Sequence, residues 1–154
     1  PIVEWLMVEK GMLAPDFSLP SDEGENVSLI GLRGKRVVLY FYPRDDTPGC
    51  TIQACDFRNA MPRFEGVDAV VLGVSPDSEE SHRRFREKFA LTFPLLADED
   101  HSVAEAYGAW GETPWGVGIQ RSTFLIDADG VVSEVWRNVN PEGHMEMLAE
   151  LLGA

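Results

Sequence analysis

Cysteine is scarce in this 154-residue chain: only Cys50 and Cys55 occur. Histidine is almost as rare. His82, His101 and His144 are dispersed with no paired spacing, so the four ligands of a structural metal site are not assembled in the sequence. None of the three carries the local signature of a cysteine-protease base, and each reads as a surface or helix-face residue. Cations are few: 13 Lys and Arg stand against 26 Asp and Glu, a formal net charge of -13. Such a surface repels phosphate backbones and argues against nucleic-acid binding, though it identifies no partner. No apolar run reaches membrane-spanning length. Ile2 to Val8 is apolar in part, but Glu4 interrupts it and no cationic stretch precedes it, so it does not read as a signal peptide. Pro1 is consistent with removal of an initiator Met. The expected location is therefore the cytoplasm, where a lasting structural disulfide is not expected. Repeats, linkers and low-complexity segments are also missing. The glycines from Gly111 to Gly118 do not follow a strand and open a helix, so they form no nucleotide-binding fingerprint.

What is present is an ordinary globular composition, 44% hydrophobic and 25% charged. One domain over residues 1–154 is expected, with 1–11 a short extension able to add an edge strand. Ala14 to Pro20 alternates apolar and polar residues, Ser21 to Asn26 is a turn signal, and Val27-Ser28-Leu29 resumes, which predicts an N-terminal hairpin. Val37 to Tyr42 and Ala69 to Val74 read as buried strands. Thr51 to Met61 reads as a helix, with Pro62 marking its end or a kink. A second helix opens near Asp77-Ser78, with either residue able to cap it, and presents His82, Phe85 and Phe89 on one face. Pro94 to Ala97 is a short strand, and Asp100 to Tyr107 a short helix stopped by Gly108. Trp110 to Gly118 reads as an irregular loop. Ser122 to Ile126 and Val131 to Trp136 form a hairpin through Asp127-Ala128-Asp129-Gly130. Asn140-Pro141 starts a last helix as cap and first position, with Met145, Leu148 and Leu152 as its apolar stripe. This order predicts an α/β fold with a mixed central sheet flanked by helices on both faces.

Chemistry concentrates between Tyr40 and Cys55. A strand leads into a loop rich in Pro, Asp, Thr and Gly, and Cys50 sits where that loop becomes the first turn of a helix. The first N–H groups of a helix lack internal partners, and the macrodipole is positive there. Both favour thiolate over thiol, and the thiolate is the reactive form. Five helical residues separate the cysteines by ~140° and about 8.6 Å between Cα atoms. A disulfide needs roughly 7 Å or less. Either the two never bond, or the helix unwinds locally when they do. Two cysteines acting as small buried hydrophobes is the bland alternative, and it fits Cys55 better than Cys50.

Pro43-x-x-x-Thr47-x-x-Cys50 resembles the active-site signature of the peroxiredoxins. Pro48-Gly49-Cys50-Thr51, with Cys55 five residues on, resembles their bacterioferritin comigratory protein, or peroxiredoxin Q, subfamily. Ala14 to Phe17, Phe93 to Asp98 and Arg121 to Asp127 resemble the family at the expected positions. The resemblance implies a thioredoxin fold with an added N-terminal β-hairpin. It implies a thiol-dependent peroxidase that reduces hydrogen peroxide and organic hydroperoxides. Cys50 would be the peroxidatic cysteine, oxidised to a sulfenic acid. Cys55 would resolve it as an intrachain disulfide, reduced in turn by thioredoxin or another dithiol protein. Thr47 would hydrogen-bond the peroxide, Arg121 would favour the thiolate and orient the peroxide, and Pro43 would shield the site from water. Gln53 would orient Arg121. No metal, haem or flavin is implied, and the chain would be a monomer or weak homodimer. A thioredoxin-like dithiol transferase is the alternative, opposed by the missing C-x-x-C spacing. A one-cysteine peroxidase follows if Cys55 does not resolve. A noncatalytic binding domain on the same fold is opposed by Cys50, Thr47 and Arg121 occurring together.

Overall fold

A computed structural model describes residues 8–154. Of the expected extension, residues 1–7 lie outside the described residues, and Val8 is buried at the point where description begins. The elements in order are β1 (Ser18–Pro20), β2 (Asn26–Ser28), a 3-10 turn (Ile30–Leu32), β3 (Arg36–Phe41), α1 (Pro48–Glu65) and β4 (Ala69–Ser75). There follow α2 (Glu79–Phe89), β5 (Leu95–Ala97), α3 (Ser102–Ala106), β6 (Trp110–Thr113), β7 (Gly116–Ile119), β8 (Ser122–Ile126), β9 (Val132–Arg137) and α4 (His144–Leu152). Five strands make one sheet in the order β5-β4-β3-β8-β9. The β3–β4 and β4–β5 pairs are parallel, whereas β8 and β9 are antiparallel additions, so the sheet is mixed as expected.

The central strand β3 is apolar on both faces because both are covered. Val37, Leu39 and Phe41 point to one side and pack with Tyr107, Phe124 and the Phe17–Leu19 segment. Val38, Tyr40 and Tyr42 point to the other and meet Phe57 and Phe64 of α1, Phe85 of α2 and Leu148 of α4. Each such side chain contributes roughly 1.5–3 kcal/mol by leaving water. The β1–β2 hairpin covers the free edge of β5. Asp22 N–H donates to Leu95 O at 3.0 Å, and Leu95 N–H donates to Asp22 Oδ1 at 2.9 Å. Arg86 meets the other carboxylate oxygen of Asp22 at 2.6 Å. An edge strand treated this way offers no open ladder to another chain.

Several local expectations are corrected. Helix α1 begins at Pro48 rather than Thr51, because proline fits a first helical position whose N–H is not needed. It runs through Pro62 to Glu65, held by Phe64, which is fully buried 5.9 Å from the Phe57 ring. Of the two residues left open as the cap of α2, it is Ser78 that caps, accepting from Ser81 N–H. Trp110 to Gly118 is not irregular: β6 and β7 form an antiparallel hairpin turning at Pro114-Trp115, with Gly116 at φ 105°. The Thr113 hydroxyl donates to Gly116 O at 2.6 Å and closes it. Its glycines carry no side chains, so alternation could not register. Asn140 does not cap α4; its Oδ1 accepts from Glu142 N–H, and the helix starts at His144 after Gly143 at φ 77°.

His144 is buried, its ring edge-on to Trp136 and its Nε2 2.9 Å from Thr123 Oγ1. Burial, and then the Arg121 cation, lower its pKa from 6.5 to about 4. The folded protein therefore keeps a neutral imidazole where the unfolded chain takes up a proton. Stability present above the ordinary histidine pKa is lost as pH falls toward the folded value. This residue is expected to remove about 2 kcal/mol of unfolding free energy between pH 7 and pH 5. Urea titrations at both pH values should show a smaller drop for His144→Gln; an equal drop in both proteins assigns the acid sensitivity elsewhere.

Candidate active site

The pairing register of the sheet assembles the site. Phe41, the last residue of β3, lies opposite Ser122, the first of β8. The loop leaving β3 and the residue entering β8 therefore emerge at the same end of the sheet. That loop carries Pro43 and Thr47 and delivers Cys50 to the first turn of α1. The residue entering β8 is Arg121.

Cys50 is almost fully buried, and Arg121 Nη2 donates to its sulfur at 3.3 Å. Arg121 Nη1 donates to Gln53 Oε1 at 2.7 Å, so one turn of α1 supplies both the sulfur and the group that aims the guanidinium at it. Gln53 is itself buried, and its Nε2 has no hydrogen-bond partner among the described residues. A Cβ on Gly49 would stand 3.3 Å from Arg121 Nη2 and 3.4 Å from Pro141 Cγ, so a glycine here admits the close crossing of the arginine.

Thr47 occupies the N-cap of α1 but makes no side-chain cap. Its hydroxyl donates to Arg44 O at 2.9 Å instead. Two consequences follow. The oxygen of Thr47 keeps its lone pairs for an incoming O–H. The Gly49 and Cys50 amides precede the first helical bond, Thr51 N–H to Thr47 O, and keep the orphan donors of a helix start. Arg121, these amides and the helix dipole place positive potential around one sulfur.

Outside this cluster lies a cleft of about 660 Å³ whose lining includes Pro43, Arg121, Trp110, Trp115, Val117 and Ile119. The β6–β7 hairpin forms one wall, and Trp115 at its tip is 93% exposed. Cys50 does not line the cleft; Arg121, which meets its sulfur, does. Cys55 is partly exposed farther along α1, and both thiols are free on an unbroken helix.

The structure thus brings Cys50, Arg121 and Gln53 into contact, sets Pro43 with Arg121 in the cleft lining and Thr47 at the cap of α1, and leaves Cys55 outside the immediate cluster. It also reveals a group that sequence reasoning missed. His82, Asp45 and Asp77 converge so that their polar atoms lie within 4.8 Å of one another. His82 was expected on a helix face; it is fully buried. No spacing in the chain signalled this, because Asp45 lies before α1 while Asp77 and His82 lie at the start of α2. Among the described residues, no helix is long and apolar enough to cross a membrane.

Comparison with known proteins agrees with this geometry. Residues 11–135 match the AhpC/TSA family. The chain is 49% identical over 144 residues to peroxiredoxin Bcp of Bacillus subtilis, covering 91% of this chain and 92% of that one. It is 44% identical over 149 residues to peroxiredoxin Bcp of Escherichia coli K12, covering 94% and 96%. Among solved structures, peroxiredoxin Q of Xanthomonas campestris superposes with a TM-score of 0.86 at 37% identity over 89% of each chain. Peroxiredoxin Q of Xylella fastidiosa gives 0.89 at 35% identity over 95% and 94%. The mixed sheet with its N-terminal hairpin is the thioredoxin fold of these enzymes. By sequence, fold and family, the chain belongs to the AhpC/TSA peroxiredoxins, in their Bcp and peroxiredoxin Q branch, and is a thiol peroxidase.

Proposed function

We propose that Cys50 is the peroxidatic cysteine and Cys55 the resolving one. The observation that carries the first assignment is the 3.3 Å contact between Arg121 and the Cys50 sulfur at the opening of α1. The Cys50 thiolate attacks the nearer peroxide oxygen as the O–O bond breaks. Cys50 becomes a sulfenic acid, and the departing alkoxide or hydroxide takes a proton and leaves as alcohol or water. Charge grows on the leaving oxygen, and the fixed donors of Arg121 with the Gly49 and Cys50 amides suit its stabilisation. The Thr47 oxygen accepts from the peroxide O–H. Pro43, in the cleft lining with Arg121, would shield the sulfur from water.

In the second half of the cycle the Cys55 thiolate attacks the Cys50 sulfur. An S–S bond forms, and the hydroxyl leaves with a proton as water. A dithiol protein such as thioredoxin then supplies two electrons through a mixed disulfide. A cytoplasmic setting suits this step, since that compartment maintains reduced dithiols. Alkyl hydroperoxides suit the cleft, where Trp110, Trp115, Val117 and Ile119 stand beside Arg121. A Xanthomonas campestris bacterioferritin comigratory protein is described as having alkyl peroxide reduction activity. No metal, haem or flavin is needed for these steps, and the cycle asks nothing of a second subunit, so a monomer or weak homodimer serves.

Cys55 stands about 8.6 Å from Cys50 along an intact helix, beyond disulfide reach, so the cycle requires the first turns of α1 to unwind. The residues that anchor α1 deepest, Phe57 and Phe64, lie past the second cysteine.

Cys50→Ser is expected to abolish turnover of peroxide in a thioredoxin-coupled assay; retention of most of the rate would sink this mechanism. Arg121→Ala is expected to slow Cys50 oxidation by ~10²-fold, the usual loss when one oriented donor is removed; an unchanged stopped-flow rate takes Arg121 out of the site. Oxidised protein should exchange its amides faster than reduced protein from Cys50 to Phe57, and mapping should find the Cys50–Cys55 bond. Mapping that finds only intermolecular Cys50 links returns Cys55 to the role of a helix residue and makes this a one-cysteine peroxidase.

A further inference from the structure

We propose that Asp45 and His82 are positioning residues, a buried carboxylate–imidazole latch that holds the loop Pro43–Pro48 in the shape needed for peroxide attack. The proposal rests on Cys50 being the peroxidatic cysteine. Asp45 lies in that loop, yet its side chain is only 4% exposed. Burying a carboxylate is unfavourable unless its oxygens are satisfied, and here they are. Oδ1 accepts from Tyr42 Oη at 2.6 Å, and Oδ2 accepts from Ser81 Oγ at 2.8 Å and from His82 Nδ1 at 2.7 Å. Burial first, and then the Asp45 charge, hold the Tyr42 phenol well above its usual range, so it stays a donor.

The imidazole has a forced protonation pattern. His82 Nε2 is 3.0 Å from Leu96 O, and a carbonyl can only accept, so Nε2 carries a hydrogen. A second proton must lie between Nδ1 and Oδ2, or two lone pairs would face each other at 2.7 Å. The two groups are therefore joined by one short, fully buried hydrogen bond. The backbone is held too: Asp45 N–H donates to Asp77 Oδ2 at 2.8 Å, an oxygen that also accepts from Ser75 Oγ at 2.6 Å. These internal bonds occupy the atoms that would ligate a cation, so the cluster serves as a hydrogen-bond hub.

The latch reaches the chemistry in one step. Arg44, next to Asp45, supplies the carbonyl that holds the Thr47 hydroxyl at 2.9 Å. Asp46, on the other side, takes the left-handed conformation at φ 58° and turns the chain into the cap of α1. Fixing Asp45 thus fixes the orientation of Thr47 and the upstream boundary of the segment that unwinds for disulfide formation. Its loss should slow the first chemical step and release the second.

Single-turnover stopped-flow fluorescence with hydrogen peroxide separates the two steps. Asp45→Ala is expected to slow Cys50 oxidation by ~10-fold or more, as small misplacements of reacting groups do, and to speed the following disulfide formation several-fold. Asp45→Asn is expected to restore most of the oxidation rate. Its amide can donate to Nδ1 of a neutral His82 and to Ser81, while its oxygen still accepts from Tyr42. The double variant Asp45→Ala/His82→Leu removes the latch without orphaning a buried charge and covers the case in which Asp45→Ala does not fold; slow oxidation is expected there as well. Wild-type oxidation rates in either latch-free variant, or an Asn variant as slow as the Ala one, overturn the latch. Failure of the underlying reading looks different: Cys50→Ser would then still consume peroxide with the latch intact.

Discussion

The antiparallel register between β3 and β8 is the constraint on which the site depends. Because Phe41 faces Ser122, the loop that leads to Cys50 and the arginine that meets its sulfur leave the sheet at one end, although 71 residues separate Cys50 from Arg121. A slip of β8 by one residue would turn Phe124 to the other face, away from Phe41 and Tyr107, so packing enforces the register. The same packing aims Arg121 at the sulfur. Catalytic geometry is here a by-product of how a buried sheet must pair.

Helix α1 has two unequal halves. Its C-terminal half is held by Phe57 and Phe64, both fully buried, and Phe57 stacks on Tyr40 at 4.8 Å. Its N-terminal half buries only Cys50, Gln53 and Ala54, and it opens on Pro48-Gly49. Less apolar surface is lost when that half leaves the sheet, which is what local unwinding at low free energy requires. In the proposed cycle the wound state binds and reduces peroxide, and the unwound state forms the disulfide. The fold reconciles both by anchoring the helix beyond the second cysteine and the loop before the first.

Buried polar groups mark the joints of the structure. Asp22 ties the N-terminal hairpin to β5 and α2. Asp45 and His82 tie the active-site loop to α2 and, through Leu96, to β5. Asp98 accepts from the Val103 and Ala104 amides and seats α3. Apolar contacts tolerate small displacements, but a buried carboxylate with its partners in place does not, because losing one strands a charge. The irregular loop between β3 and α1 is thereby held at a defined position ahead of Cys50.

The sequence by itself determined the periodic elements and pointed to a candidate reactive centre. Strands β3, β4, β8 and β9 were legible as apolar runs, and Cys50 as a cysteine at a helix entry, because these signals are local. So was the pair of cysteines too far apart to bond on an intact helix. The family motifs placed Thr47, Pro43 and Arg121 on the same site. Tertiary structure alone decided the rest. The β6–β7 hairpin escaped notice because glycines leave no alternation to read. The late start of α4 depends on an Asx turn that competes with capping at Asn140. The continuation of α1 past Pro62 depends on Phe64 finding Phe57. The partnership of Asp45 with His82 joins residues 37 positions apart. Its strength comes from burial, and burial is a property of the packed whole, which no local pattern encodes.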